Sequence, residues 1–237
     1  MNQELTTGTY DSLIDDLIDN GESARLFCKQ NNAIFNLDYE YEPHEDILGL
    51  IYISCKNLGN RKSTGSYYTS NKVVNQLISK FKFKENEKVL DPCCGTGNFL
   101  LQLPDIIPFD NIYGNDIDAI SVKITKLNMA LKYNADINII DAHITNFNYL
   151  TNFNLDAEYH YIIGNPPWGY DFSEDEKVIL KANFKSISNK SIESYDVFIE
   201  QALRNLTLGG HLAFVLPEAL LNVKAHTSIR NIILSSC

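Results

Sequence analysis

The sequence lacks an apolar run long enough to span a bilayer, so no membrane-crossing helix is expected. Its first twenty residues, "MNQELTTGTYDSLIDDLIDN", lack the basic and apolar regions of a secretory signal. The five cysteines (Cys28, Cys55, Cys93, Cys94, Cys237) show neither paired metal-ligand spacing nor a disulfide-rich pattern. No metal site is expected, and a reduced, cytoplasmic setting fits best. A surplus of positive charge is also missing, since the formal net charge is −10. That deficit is local. Residues 1–50 hold 11 Asp or Glu against 2 Lys or Arg, a balance of −9. Residues 51–237 hold 19 acidic and 18 basic residues, a balance of −1. Charge therefore neither demands nor excludes a nucleic-acid partner.

What is present is length for one α/β domain with an attached segment: 237 residues, 44 % of them hydrophobic. The division expected is an acidic helical segment over 1–60 and the main domain over 61–237. Leu13, Ile14, Leu17 and Ile18 repeat at helical spacing before Asn20-Gly21, and a second apolar helix is predicted from His44 to Leu58. "GNRKSTGSYYTSNK" (59–72) reads as a polar connection, with Ser70 capping a helix that carries Val73, Val74, Leu77 and Ile78 on one face.

From residue 88 short apolar strands alternate with helices. Predicted strands are "KVLD" (88–91), "NIYGND" (111–116), "INIID" (137–141), "YHYIIG" (159–164) and "HLAFVL" (211–216). Ile120, Ile124, Leu127 and Leu131 mark one helix, and "SYDVFIEQALRNL" (194–206) another, ended by Gly209-Gly210. This alternation implies a doubly wound, mostly parallel sheet. Ligands of such sheets bind beyond the carboxyl ends of the strands. The residues expected there are Asp91, Asp116, Asp141 and Asn165, separated by 25, 25 and 24 residues, one strand–helix unit each.

"DPCCGTGNF" (91–99) puts Gly95 and Gly97 between strand and helix, where glycine lets a ligand approach the backbone. The spacing is neither the G-x-G-x-x-G dinucleotide fingerprint nor a Walker loop, so a diphosphate is not the expected ligand. Asp116 is placed to accept ribose hydroxyls, or to cap a helix, a role open to Asp118 as well. Asp141 can accept from an adenine amino group or serve a turn. Ile117 packs on an adenine ring or joins the core. "NPPW" (165–168) offers two rigid acceptors, the Asn165 carbonyl and the Pro166 backbone carbonyl, beside the sole tryptophan. A rigid turn with a packed aromatic lid is the plainer reading of the same four residues.

These motifs resemble the catalytic domain of the S-adenosylmethionine-dependent N6-adenine DNA methyltransferases of restriction–modification systems. The resemblance is carried by "GSYYTS" (65–70), "DPCCGTGNF", "YGNDID" (113–118), "IIDA" (139–142), "NPPW" and "GGHLAFVLP" (209–217), with "DILG" (46–49) as a lead-in. It covers roughly residues 44–222. It implies a Rossmann-like fold, S-adenosylmethionine as cofactor, and transfer of its methyl group to the amino group of a flipped adenine in double-stranded DNA. Thr69 and the backbone near Tyr68 would contact the methionine end, with Asp91 and the Pro92–Gly97 loop, Cys93 included, around the amino-acid part. Asp116 would hold the ribose, Ile117 the cofactor adenine, and Asp141 with Ala142 that adenine's amino edge. Asn165, Pro166 and Pro167 would hold the target amino group, and Trp168 would stack on the target base. Ser70 stands where a proline is common, the Cys93-Cys94 pair is bulkier and more reactive than in many relatives, and Ala142 offers no aromatic face. Pro167-Trp168 in place of Pro-Cys disfavours cytosine-ring methylation.

Amino-group methyltransferases of RNA guanine or protein glutamine share Asn-Pro-Pro with an aromatic residue, and "GSYYTS" favours the DNA reading over them. The family adds two further strands and a target-recognition domain that this sequence does not show. A sheet left short at its C-terminal side, and a separate recognition subunit or a non-catalytic split subunit, are therefore expected.

Overall fold

The computed structural model describes residues 44–55, 68–152, 158–187 and 192–236. The predicted helix at 13–18 and residues 65–67 of "GSYYTS" lie outside them. Helix α1 (Ile47–Cys55) and α2 (Asn71–Ile78) precede β1 (Val89–Asp91) and α3 (Asn98–Leu101). Then come β2 (Ile112–Asp116), α4 (Ala119–Tyr133), α5 (Ile137–His143), β3 (Ile144–Asn146) and β4 (Tyr159–Gly164). Helices α6 (Glu174–Asn183) and α7 (Ser194–Asn205), strand β5 (Leu206–Phe214), and α8 (Ala219–Asn222) and α9 (Thr227–Ser236) complete the order.

The five described strands are all parallel, in the order β3-β2-β1-β4-β5. Successive strand residues face opposite layers. Val89, Tyr161 and Ile163 join Leu100, Ile112, Met129 and Ile144 in one core. Leu90 and Ile162 join Leu180, Val197 and Phe198 in the other. Helices cover both faces, which is why these strands read as continuous apolar runs. Winding runs outward from β1 through β2 to β3, then crosses back to β4 beside β1. That reversal opens a crevice beyond the ends of β1 and β4. No helix among the described residues is long and apolar enough to cross a membrane.

Two predicted elements differ. "INIID" is not the third strand: it lies in α5, and β3 is the next three residues, "ITN". Asp136 decides this by capping the helix, its side chain accepting the Asn138 N–H at 2.8 Å. Only Ile140 of that helix is buried, while Ile139 stays exposed, so the apolar run had no sheet position to fill. Gly209-Gly210 does not end α7. Asn205 does, and the glycine pair lies inside β5, whose pairing with β4 shifts register at Tyr159–Tyr161. In α2, Val74 and Ile78 are buried as expected, but Val73 is exposed.

Candidate active site

A cavity of about 340 Å³ occupies the crevice. Its floor is the loop after β1. Pro92, Cys93, Cys94, Gly95 and Thr96 line it, followed by Asn98 and Phe99. Gly97 turns this loop with φ +94°, a left-handed conformation that favours glycine, and its missing Cβ leaves room for Thr125. The Gly95 N–H donates to Asp116 Oδ2 (2.8 Å) and its carbonyl accepts from Thr125 Oγ1 (2.7 Å), so β2 and α4 both hold the loop.

Asp91 ends β1 and is fully buried. Its Oδ1 accepts the Cys93 N–H at 3.1 Å, while Oδ2 has no hydrogen-bond partner among the described residues. Burial, with Asp116 nearby, pushes this carboxyl up to about 8, against the opposing pull of the Cys93 N–H. A buried acceptor left open in this way fits an ammonium ligand. Burial also pushes the thiols of Cys93 and Cys94 well up, so both stay protonated and the pair is less reactive than its sequence implies.

Asp116 and Ile117 line the cavity, and Ile117 is 54 % exposed despite its apolar side chain. Asp116 Oδ1 accepts the Asp118 N–H at 2.8 Å, and Asp118 caps α4, as read from the sequence. Asp141 and Ala142 do not reach the cavity. Both are exposed on α5, and Asp141 pairs with Lys126 at 2.7 Å. The end of β3 instead brings Phe147 and Asn148 to the wall, clamped where Asn115 exchanges hydrogen bonds with the Phe147 backbone at 3.1 Å each.

The end of β4 carries the opposite wall. Gly164 adopts φ +148°, and a Cβ there would lie 2.5 Å from Asp91 Oδ1, so glycine alone lets β4 pass beside the buried carboxylate. Asn165 follows. Its Nδ2 donates to Thr69 Oγ1 (3.0 Å), which orients the amide and leaves Oδ1 buried at the cavity without a hydrogen-bond partner among the described residues. Thr69 is itself fixed by Asn98 Nδ2, 2.6 Å from its carbonyl. Thus Thr69 links the glycine loop to Asn165. Pro167 lines the cavity and Pro166 is buried behind it. Trp168 does not line the cavity: half-buried, it packs against Tyr195, Ile199, Leu220 and Ile229. Tyr170, Phe172 and Phe198 line it instead.

Asn165, Pro167, Thr69, Pro92, Cys93, Gly95, Asp116 and Ile117 are therefore brought together at the cavity, whereas Asp91, fully buried next to the loop it holds through Cys93, does not line it. The reading missed Ile53, Phe147, Asn148, Tyr170, Phe172 and Phe198. The aromatic residues following each strand end carried the only signal.

Residues 44–237 match the model of the N-6 DNA Methylase family. The chain belongs to that family. Among curated relatives, the type II methyltransferase M.VspI of a Vibrio species is 26 % identical over 206 residues, which cover 86 % of this chain and 49 % of the relative. The methylase subunit of the type I restriction enzyme EcoEI of Escherichia coli is 24 % identical, covering 87 % of this chain and 44 % of that protein. The chain thus spans about half the length of these relatives. A crystal structure from Listeria monocytogenes described as a class I S-adenosylmethionine-dependent methyltransferase superposes with a TM-score of 0.64 at 21 % identity, over 95 % of this chain and 69 % of that one. At this identity the likeness establishes the fold alone, a Rossmann-like α/β domain.

The Asn-Pro-Pro loop of this family member is anchored from behind. Ser194, fully buried at the start of α7, donates its hydroxyl to the Pro167 carbonyl and accepts the Tyr170 N–H (3.5 Å). Ser194→Ala strands both groups and is expected to cost about 1–3 kcal/mol. Differential scanning calorimetry checks this, with an expected fall of about 2–4 °C per kcal/mol for a domain of this size.

Proposed function

We propose that this chain binds S-adenosylmethionine in the crevice and transfers its methyl group to the N6 amino group of an adenine in DNA, within a restriction–modification system. The observation that carries this is Asn165 Oδ1, a buried, oriented and open acceptor at the cavity shared with the glycine loop. When bound, the cofactor supplies a methyl group on a positively charged sulfur.

In this reading Asp91 Oδ2 and the 92–97 loop receive the amino-acid end, with Thr69 alongside, and Asp116 receives the ribose. Ile117, Phe147, Pro167 and Phe198 surround the cofactor adenine. Asn148, at the end of β3, takes the place first given to Asp141. Asn165 Oδ1 and the Pro166 carbonyl would accept the two hydrogens of the target amino group, one of which leaves to solvent as a proton when the nitrogen gains the methyl group and the sulfur departs as a neutral thioether. That contact draws the nitrogen's lone pair out of the ring and toward the methyl group, and the fixed geometry aligns the transfer. No covalent bond to the protein is needed. The base must leave the duplex, at a cost of about a few kcal/mol. A target-recognition region, further along a longer protein or on a separate subunit, supplies the reading of DNA sequence.

Family membership favours DNA adenine over RNA guanine and protein glutamine. Calorimetry with S-adenosylmethionine, followed by offering DNA, RNA and release-factor substrates with labelled cofactor, tests the reading. Binding with label in DNA adenine is expected. Absence of cofactor binding by the folded chain, or label in RNA or protein alone, would overturn it.

A further inference from the structure

Asp46 is fully buried just ahead of α1, 50 residues from the glycine loop in sequence. Its Oδ1 accepts the Gly49 N–H and Asn128 Nδ2, both at 2.8 Å. Its Oδ2 accepts the hydroxyl of Thr96, which lies between Gly95 and Gly97 and lines the cavity. The same Asn128 amide also donates to the Thr96 carbonyl at 2.8 Å. All three donors to the carboxylate are neutral. Burying a charge among neutral groups is costly, and one lost donor would leave it poorly satisfied. The clasp is also sterically closed: a Cβ on Gly49 would lie 1.9 Å from Asp46 Oδ2 and 2.1 Å from Thr96 Oγ1.

What the clasp holds is α1. One turn beyond Gly49, Ile53 lines the cavity, and the Tyr52 hydroxyl donates to Asp118 Oδ2 at 2.8 Å. Asp118 in turn donates its N–H to Asp116, at the proposed ribose position. His44 closes the segment further back, its Nδ1 2.8 Å from the Leu101 carbonyl. Asp46 itself does not line the cavity, so any effect on a ligand passes through Thr96 and α1.

We infer that Asp46 is a positioning residue for the cofactor: by clasping Thr96 to Gly49 it sets the glycine loop and seats α1 as the wall over the nucleoside. The inference rests on the crevice being the S-adenosylmethionine site.

The test uses the full chain, with isothermal calorimetry against S-adenosylmethionine and steady-state transfer at varied cofactor. Thr96→Val removes the hydroxyl at constant shape, and Thr96→Ser restores it. Asp46→Asn and Thr96→Val should each weaken cofactor binding about tenfold or more, the scale of one charge-assisted hydrogen bond. Thr96→Ser should bind as wild type, and the double variant should lose less than the product of the two single losses. For Asp46→Asn, which does not touch the cavity, turnover at saturating cofactor should stay near wild type, a split that general loosening would not give. Should Asp46→Asn fail to fold, Thr96→Val and Tyr52→Phe decide by the same readout. Wild-type affinity in Thr96→Val, or lost turnover at unchanged affinity, would overturn the inference. A wild-type chain that binds no cofactor would instead overturn the reading of the site beneath it.

Discussion

Asn165→Ala should lower methyl transfer by about 10²–10³-fold, the scale of removing one preorganised polar group from a transition-state site. Cofactor affinity should change little. The split follows from geometry. Asn165 Nδ2 is engaged by Thr69, whereas Oδ1 is buried, open and directed to the cavity. In the proposed reaction that oxygen meets the target amino group and nothing of the cofactor. Alanine also frees Thr69 Oγ1, but the Thr69 carbonyl stays held by Asn98, so the loop contact persists. Single-turnover transfer alongside calorimetric cofactor binding reads the two quantities separately. Wild-type turnover in the variant would refute the role of Asn165.

Asp91→Asn should act in two opposite directions. Without ligand, the variant should be the more stable protein above about pH 8. Burial raises the wild-type carboxyl from its ordinary value of 3.8 to about 8 in the folded state. A raised folded value means that the folded chain holds a proton which the unfolded chain has released. Wild-type stability therefore falls as pH climbs from about 4 to about 8, by at most about 1.4 kcal/mol per pH unit. Asparagine keeps the acceptor for the Cys93 N–H and removes the charge, so that slope should flatten. With ligand, the variant should lose about 10–100-fold in S-adenosylmethionine affinity, because the carboxyl, on giving up its proton, can offer Oδ2 as a charged acceptor to the cofactor's ammonium and an asparagine cannot. Melting curves from pH 5 to 9, with and without cofactor, test both halves. Equal slopes, or unchanged affinity, would contradict the assignment.

The sheet was legible because both of its faces are covered. Strands such as "YHYIIG" carry apolar side chains toward two cores and stand out from their surroundings. Asp91 and Asn165 stood out for a related reason, being the first polar residues where such runs stop, as did Asp116, which follows Asn115 at the end of its run. Asp141 shared that appearance, and the 25-residue spacing reinforced it. A short apolar run does not by itself separate strand from helix, and the cap at Asp136 was the deciding feature. The true third strand is three residues long, too short for a period to show. Trp168 was read from its neighbours in sequence, yet its packing is set by Tyr195, Ile199, Leu220 and Ile229, all at least 27 positions away. The Asp46 clasp was invisible for the same reason, since two of its three donors lie 50 and 82 residues away.

The most direct test of the account is the fate of a labelled methyl group. The chain is incubated with methyl-labelled S-adenosylmethionine and mixed-sequence double-stranded DNA, and the DNA is digested to nucleosides. The account predicts label as N6-methyladenine, formed about 10²–10³-fold more slowly with Asn165→Ala. A folded chain that binds cofactor yet leaves adenine unlabelled, or labels another base, would contradict it.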